Sequence, residues 1–237
     1  MEFPAINTRQ ASILESIVRL YIETALPVGS ALVLARSGLN VSPATVRNDM
    51  AELELAGYIA SPHTSAGRVP TELAYEYYIA HFLSDVSLPT PEERQLQHIT
   101  QSYQEFNERV RQLAKAVAGF SSAGVFIASA NQDIFYTGLT NLFAQPEFRE
   151  QEQVHAMSQV LDHLGDAMAD MFTTAVTDDV SILVGSRNPL GSTCSVILTH
   201  CRVSPEVDII FGILGPTRMD YDRNVARSER FREFMHQ

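Results

Sequence analysis

Positive charge is what this 237-residue chain has least of: 28 acids face 17 basic residues, for a net charge of −11 and a pI near 5.0. A molecule-wide field of that sign repels polyphosphate, which excludes indiscriminate nucleic-acid binding and leaves a local patch as the only route to it. Lysine occurs once, as Lys115, and no phosphate-cradling loop accompanies it. Cysteine is almost absent too. Cys194 and Cys201 stand an odd number of positions apart in what reads as one extended segment, so they point to opposite faces of a strand. Neither a disulfide nor a metal pair follows, and two buried thiols are expected. No run approaches the roughly twenty uninterrupted apolar residues that a bilayer crossing needs. Met1 to Arg9 also lacks the layout of a signal peptide, so a cytoplasmic location without a membrane partner is expected. No internal repeat or low-complexity tract is present. What the chain does have is an apolar content of 45%, ample for folded cores, in a length that suits two modest domains.

Residues 1–83 hold five arginines against eight acids, a net charge of −3 that leaves −8 to the rest. Asn7, Thr8 and Gln10 form a capping arrangement ahead of Ile13, Ile17, Leu20 and Tyr21, which share one face of a helix ending near Thr24. Pro27 and Gly29 break the chain, Ser30 can cap a short second helix through Arg36, and Gly38 supplies a left-handed stop. Ser42-Pro43 is an N-cap followed by proline at the first helical position, which opens a third helix over 42–55 closed by Gly57. Val46, Met50 and Leu53 form its apolar face. The opposite arc shows Ala44, Thr45, Arg47, Asn48 and Ala51, small residues that permit close approach beside groups able to read base edges and phosphates. After Tyr58-Ile59, the segment from His63 to Arg68 is a polar, glycine-bearing tip, and Thr71 caps a further helix.

Three helices and a hairpin in that order read as a winged helix-turn-helix, with a recognition helix over 42–55 and a wing over 62–70. Thr45, Arg47 and Asn48 on the helix are the DNA-contact candidates that this pattern offers. Periodicity alone leaves Arg47 equally open to being a solvated helix charge.

Pro89, Thr90 and Pro91 mark a boundary and a fresh helix start. Leu96, Ile99, Tyr103, Phe106, Val110, Leu113 and Val117 then recur at steps of three and four, the seam of one long amphipathic helix, with 84–118 read as linker plus helix. That seam faces either a second copy of the chain or this chain's own following domain. From Ala123 the pattern turns to strands near 124–129, 133–136, 180–184, 193–203 and 207–214, with helices over 150–173 and 218–235. Residues 119–237 therefore read as an α+β domain with a mostly antiparallel sheet, and the fold class of the whole is α+β.

The residues themselves also resemble a known family, the heat-inducible transcription repressors HrcA of bacteria. The carriers in the first domain are Tyr21-Ile22-Glu23-Thr24 with Pro27-Val28-Gly29-Ser30, then Ser42-Pro43-Ala44-Thr45-Val46-Arg47-Asn48-Asp49-Met50, then Pro62-His63-Thr64-Ser65-Ala66-Gly67-Arg68-Val69-Pro70-Thr71. In the second they are Gly138-Leu139-Thr140-Asn141-Leu142 with Gln145-Pro146-Glu147-Phe148, and Gly215-Pro216-Thr217-Arg218-Met219-Asp220-Tyr221. The resemblance implies a winged-helix head joined to a GAF-like domain, acting as a homodimer on an inverted-repeat double-stranded DNA operator upstream of chaperone genes. Carried residue by residue, it makes Ser42, Thr45, Arg47 and Asn48 on the helix and His63, Thr64, Ser65 and Arg68 on the wing the DNA-binding residues, and it implies the bacterial chaperonin as a partner that keeps the repressor active. The stretch before Tyr136-Thr137-Gly138 is much shorter than the family's, so the GAF-like domain reads as truncated and its inserted dimerisation domain as absent. The seam from Leu96 to Val117 then becomes the candidate dimer contact. Ala74 and Glu76 stand where the family has glycine and a basic residue.

Enzymatic chemistry needs a convergent constellation, and none is legible. His155 and His163 lack the spacing of a helical metal pair, and Asn188 to Ser192 is a turn. Gly215-Pro216-Thr217 offers a helix start to an anion or, as the preferred reading, a turn held by an Arg218–Asp220 ion pair. No cofactor and no catalytic activity are expected. A repressor is the first reading, and the second is a protein-interaction or sensor module whose winged helix no longer binds DNA specifically.

Overall fold

The structure, a computed structural model, describes residues 3–62, 67–130, 133–173, 180–188, 190–204 and 207–236, with side chains 169–173 left aside. It divides into two units, Met1–Leu83 and Ser84–Gln237.

Capping fixes where the first unit's helices begin. Asn7 Oδ1 accepts from the Gln10 N–H at 3.0 Å while Gln10 Oε1 accepts from the Asn7 N–H at 2.9 Å, a reciprocal box that opens α1 (Thr8–Thr24). Ala25 ends it in the left-handed region. In α2 (Ser30–Ser37) the cap is Gly29, and Ser30 is the first helical residue rather than the expected cap. Ser42 Oγ accepts from the Thr45 N–H at 3.1 Å and opens α3 (Pro43–Leu55). β1 (Ile59–Ala60) and β2 (Val69–Pro70) pair antiparallel, and α4 (Glu72–Phe82) follows. Ile13, Ile17, Val46, Leu53, Tyr58 and Tyr75 close over one apolar centre.

The second unit is a five-stranded antiparallel sheet between two helical layers, ordered β4-β3-β7-β6-β5. Its strands are β3 (Gly124–Ser129), β4 (Ile134–Thr137), β5 (Ser181–Val184), β6 (Cys194–Ser204) and β7 (Val207–Pro216). One face carries Phe126, Val196, Leu198, Ile210 and Leu214. They pack under α7 (Leu139–Phe143), α8 (Gln151–Asp162) and α9 (Leu164–Thr173). α6 (Phe106–Ser121) and α10 (Tyr221–Met235) lie on the other face, where Phe231 stacks on Phe211 at 3.9 Å. Because the sheet is covered on both sides, Cys194 and Cys201 are both buried, and only Cys194 joins the first cluster. Burial pushes the Cys194 thiol up to about 12, the state of an unreactive thiol. Gly212 leaves room for the Phe126 ring, from which a Cβ there would stand only 2.1 Å away.

Several expected elements are differently divided. The long helix with a continuous Leu96–Val117 seam is two helices, α5 (Thr90–Ser102) and α6, and both belong to the second unit. Tyr103 turns extended, and the Glu105 carboxylate accepts the N–H groups of Asn107 and Glu108, so a side-chain cap starts a new helix where the periodicity would have continued one. Leu96, Val110, Leu113 and Val117 are buried, while Ile99, Tyr103 and Phe106 are half-buried. The helix expected over 150–173 breaks at His163, which ends α8. The last helix starts at Tyr221, because Asp220 caps it by accepting from the Arg223 N–H. Arg218 accordingly does not pair with Asp220. It reaches Glu147 at 2.6 Å and Gln145 at 3.0 Å, tying the turn before α10 to the one-turn helix Pro146–Arg149.

Candidate nucleic-acid interface

α3 is held by its acids and presents its polar start. Asp49, only 3% exposed, receives the Arg9 guanidinium in a fork, 2.7 Å to one oxygen and 3.0 Å to the other. That hydrogen-bonded pair raises the Arg9 pKa above its ordinary value. Glu52 accepts from Gln10 Nε2 at 2.5 Å, and Glu54 from Arg68 Nε at 3.0 Å. The carboxylates of this helix are thereby turned to α1 and to the hairpin.

On the remaining surface Ala44, Arg47, Asn48 and Ala51 are exposed, with Thr45 half-buried beside them. Thr45 Oγ1 lies 2.9 Å from Ser42 Oγ, so the two hydroxyls of the helix start are engaged with each other and with the cap, and each keeps a further hydrogen-bonding position. Arg9, Arg19, Arg36 and Arg68 each have a carboxylate partner. Arg47 is, among the described residues, the guanidinium of this unit that has none. It borders a cavity of about 400 Å³ whose other walls are Gly29 and Ser30 at the start of α2, Met50, Val28, Gly67 and the carboxylate-paired Arg68. A helix N-terminus and an unpaired guanidinium on one concavity make a surface that attracts an anion. Ser30 was legible in the sequence only as a cap, and nothing in the local pattern placed it beside Arg47.

Of the wing candidates, His63, Thr64 and Ser65 lie outside the described residues. Arg68 is described, and it points inward. Its side chain binds Glu54 and, through Nη1, Ser61 Oγ at 2.9 Å. Its backbone exchanges hydrogen bonds of 2.9 Å and 2.8 Å with Val28. Gly67 makes that approach possible, since a Cβ there would come within 2.5 Å of the Val28 carbonyl carbon. Arg68 thus ties the hairpin base to α3 and to the turn before α2.

A family model described as the HrcA protein C-terminal domain matches residues 73–225. The heat-inducible transcription repressor HrcA of Shouchella clausii is 24% identical over 323 aligned positions, covering 93% of this chain and 94% of the relative. The protein of the same name from Carboxydothermus hydrogenoformans is 25% identical and covers 97% of both chains. That of Geobacter sulfurreducens is 58% identical over 79 residues, 33% of this chain and 23% of the relative. An alignment of 323 positions exceeds the 237 residues available, so parts of the first relative face gaps. A crystal structure of a hypothetical protein superposes with a TM-score of 0.74 at 18% identity, covering 98% of this chain and 99% of the other, a likeness of fold alone.

Proposed function

Since this chain belongs to the HrcA family, we propose that it is a transcriptional repressor of heat-shock genes that binds double-stranded DNA through its Met1–Leu83 unit. The observation that carries the reading is the exposed, carboxylate-free Arg47 on a helix whose own acids are all engaged elsewhere. In this reading the unit is a winged helix-turn-helix, and α3 enters the major groove by its N-terminal half. Arg47 and Asn48 meet base edges there, with Thr45 and Ser42 at the groove wall. The hairpin over 62–70 lies along the flanking backbone, its tip residues His63, Thr64 and Ser65 making the contact and Arg68 bracing its base. The second unit takes the role of a GAF-like domain lacking the family's inserted dimerisation domain. The operator is an inverted repeat bound by a homodimer, and the bacterial chaperonin is the regulatory partner, both carried over from the family. Among the described residues no helix is long and apolar enough to cross a membrane.

The second reading, an interaction or sensor module without specific DNA binding, is favoured by one observation: the arginines at positions 9, 19, 36 and 68 are each neutralised by a neighbouring acid. Selection from a random duplex pool by the full chain in dilute buffer separates the two. Enrichment of a palindromic sequence supports repression, and a pool that stays random after repeated rounds leaves the module reading standing.

A further inference from the structure

The second unit holds a cavity of about 440 Å³ between the first turns of α6 and the end of the sheet where β3, β4 and β7 meet. Val110, Ile127 and Ile209 are buried and form its apolar floor. Phe135 pairs with Ile127 across the β3–β4 ladder and lies under the Arg111 guanidinium, whose carbon is 5.4 Å from the ring centroid. Asp133 borders the same cavity.

Opposite charges that share a cavity normally neutralise one another. Arg111 and Asp133 do not: among the described residues neither makes an ion pair, with the other or with any third side chain. Glu105 feels the Arg111 charge, but its carboxylate is engaged by the N–H groups of Glu108 and Asn107. The cavity therefore offers a cation and an anion that are not paired with each other, above an apolar floor.

We propose that this cavity binds a small zwitterion with an apolar body, of the class of the free aliphatic and aromatic amino acids. The ligand's carboxylate meets Arg111, its ammonium meets Asp133, and its side chain covers Val110, Ile127 and Ile209. Stacking on Phe135 leaves the edge of the guanidinium free to donate to a carboxylate, and charge-assisted hydrogen bonds at both ends fix orientation. The volume falls in the range of about 300–1,000 Å³ found for small-molecule sites. A simple acid gains Arg111 and is repelled by Asp133, a simple amine meets the reverse, and only the zwitterion satisfies both. The site stands independently of any DNA contact by the other unit.

Isothermal titration of the full chain with leucine, isoleucine and phenylalanine tests it, alongside 3-phenylpropionate and phenethylamine, which keep the ring of phenylalanine and one charge each. Saturable binding of at least one of the amino acids is expected. Both single-charge compounds and both variants, Arg111→Gln and Asp133→Asn, should bind about tenfold or more weakly. Both substitutions fall on exposed side chains. The single-charge compounds probe the unaltered protein, so that arm does not depend on either variant folding. No saturable binding by any of the three amino acids overturns the proposal. So does 3-phenylpropionate binding as tightly as phenylalanine, or an Arg111→Gln variant that binds undiminished.

Discussion

Replacing Glu92 by alanine is expected to destabilise the second unit by about 3–5 kcal/mol, far more than removal of an ordinary surface carboxylate. Arg227 on α10 is 4% exposed and Glu92 on α5 is 13% exposed, and they meet in a fork with contacts of 2.9 and 3.0 Å. Arg227 also donates to Asn224 Oδ1 at 2.7 Å, a bond that survives the substitution but supplies no counter-charge. Alanine at 92 therefore leaves a guanidinium buried without its anion, and the loss is the desolvation of that charge, not the net worth of the pair. At about 2–4 °C per kcal/mol for a body of this size, the unit's melting temperature should fall by roughly 6–20 °C. Calorimetry of the intact chain reads this. The double variant Glu92→Leu with Arg227→Met should recover most of the loss, since packed apolar groups replace a buried pair at little penalty. Glu15→Ala, which removes one end of the partly exposed Glu15–Arg19 pair, serves as the comparison at about 0.3–0.5 kcal/mol. A Glu92→Ala variant no more destabilised than Glu15→Ala would refute the claim that this pair holds α5 to α10.

Arg47→Ala should weaken binding to a selected operator by about 1–3 kcal/mol and relax preference at one base position, with stability unchanged because the side chain has no carboxylate partner. Equal weakening on all duplexes in a gel-shift titration would move Arg47 to the phosphate backbone. The hydrogen bonds from the Glu108 and Asn107 N–H groups hold the Glu105 carboxyl below the ordinary glutamate range. Its folded pKa is depressed, so its stabilising contribution is complete above the unfolded pKa and is lost as pH falls through the folded value. Carbon-detected NMR titration should show Glu105 among the last glutamates to protonate, and an unshifted midpoint would count against the cap. Gly212→Ala should cost about 1–3 kcal/mol in urea melts through collision with Phe126, with Phe126→Leu relieving part of it. Full stability in the single variant would show that the ring can move aside.

What the sequence made legible was local. The Asn7–Gln10 box and the Ser42 cap lie within one helical turn of the residues they serve, and the sheet strands announce themselves by runs of apolar residues. What it concealed was settled by partners far along the chain. The three- and four-residue recurrence passes through Tyr103 without interruption, yet α5 ends there, and Arg227 and Arg230 hold its first turn from the last helix. In the sequence Arg68 is one more wing cation, and only the fold brings Glu54 against it. Arg218 likewise has an acid two positions away and binds one on a different element. Periodicity reports which face is apolar and does not report which partner a charge will find.

Those hidden pairs bear on how an acidic chain could act on DNA under the proposed reading. The count of charges in the first unit says −3, but Asp49 and Glu54 cancel against Arg9 and Arg68, so α3 keeps one uncancelled acid near Arg47, Glu52, which the neutral Gln10 binds without neutralising. Charges farther off than a Debye length of about 8 Å are largely screened at physiological salt. A head with one unpaired guanidinium neutralises few phosphates, so its affinity should fall only shallowly with salt, by about 0.9 log units per decade for each phosphate met. It also gains little from random DNA. With so small an electrostatic contribution per head, useful affinity has to come from base contacts and from two heads sharing one site. Under the proposed reading, the same scarcity of positive charge that disqualifies the chain as a general nucleic-acid binder would widen the gap between an operator and every other sequence.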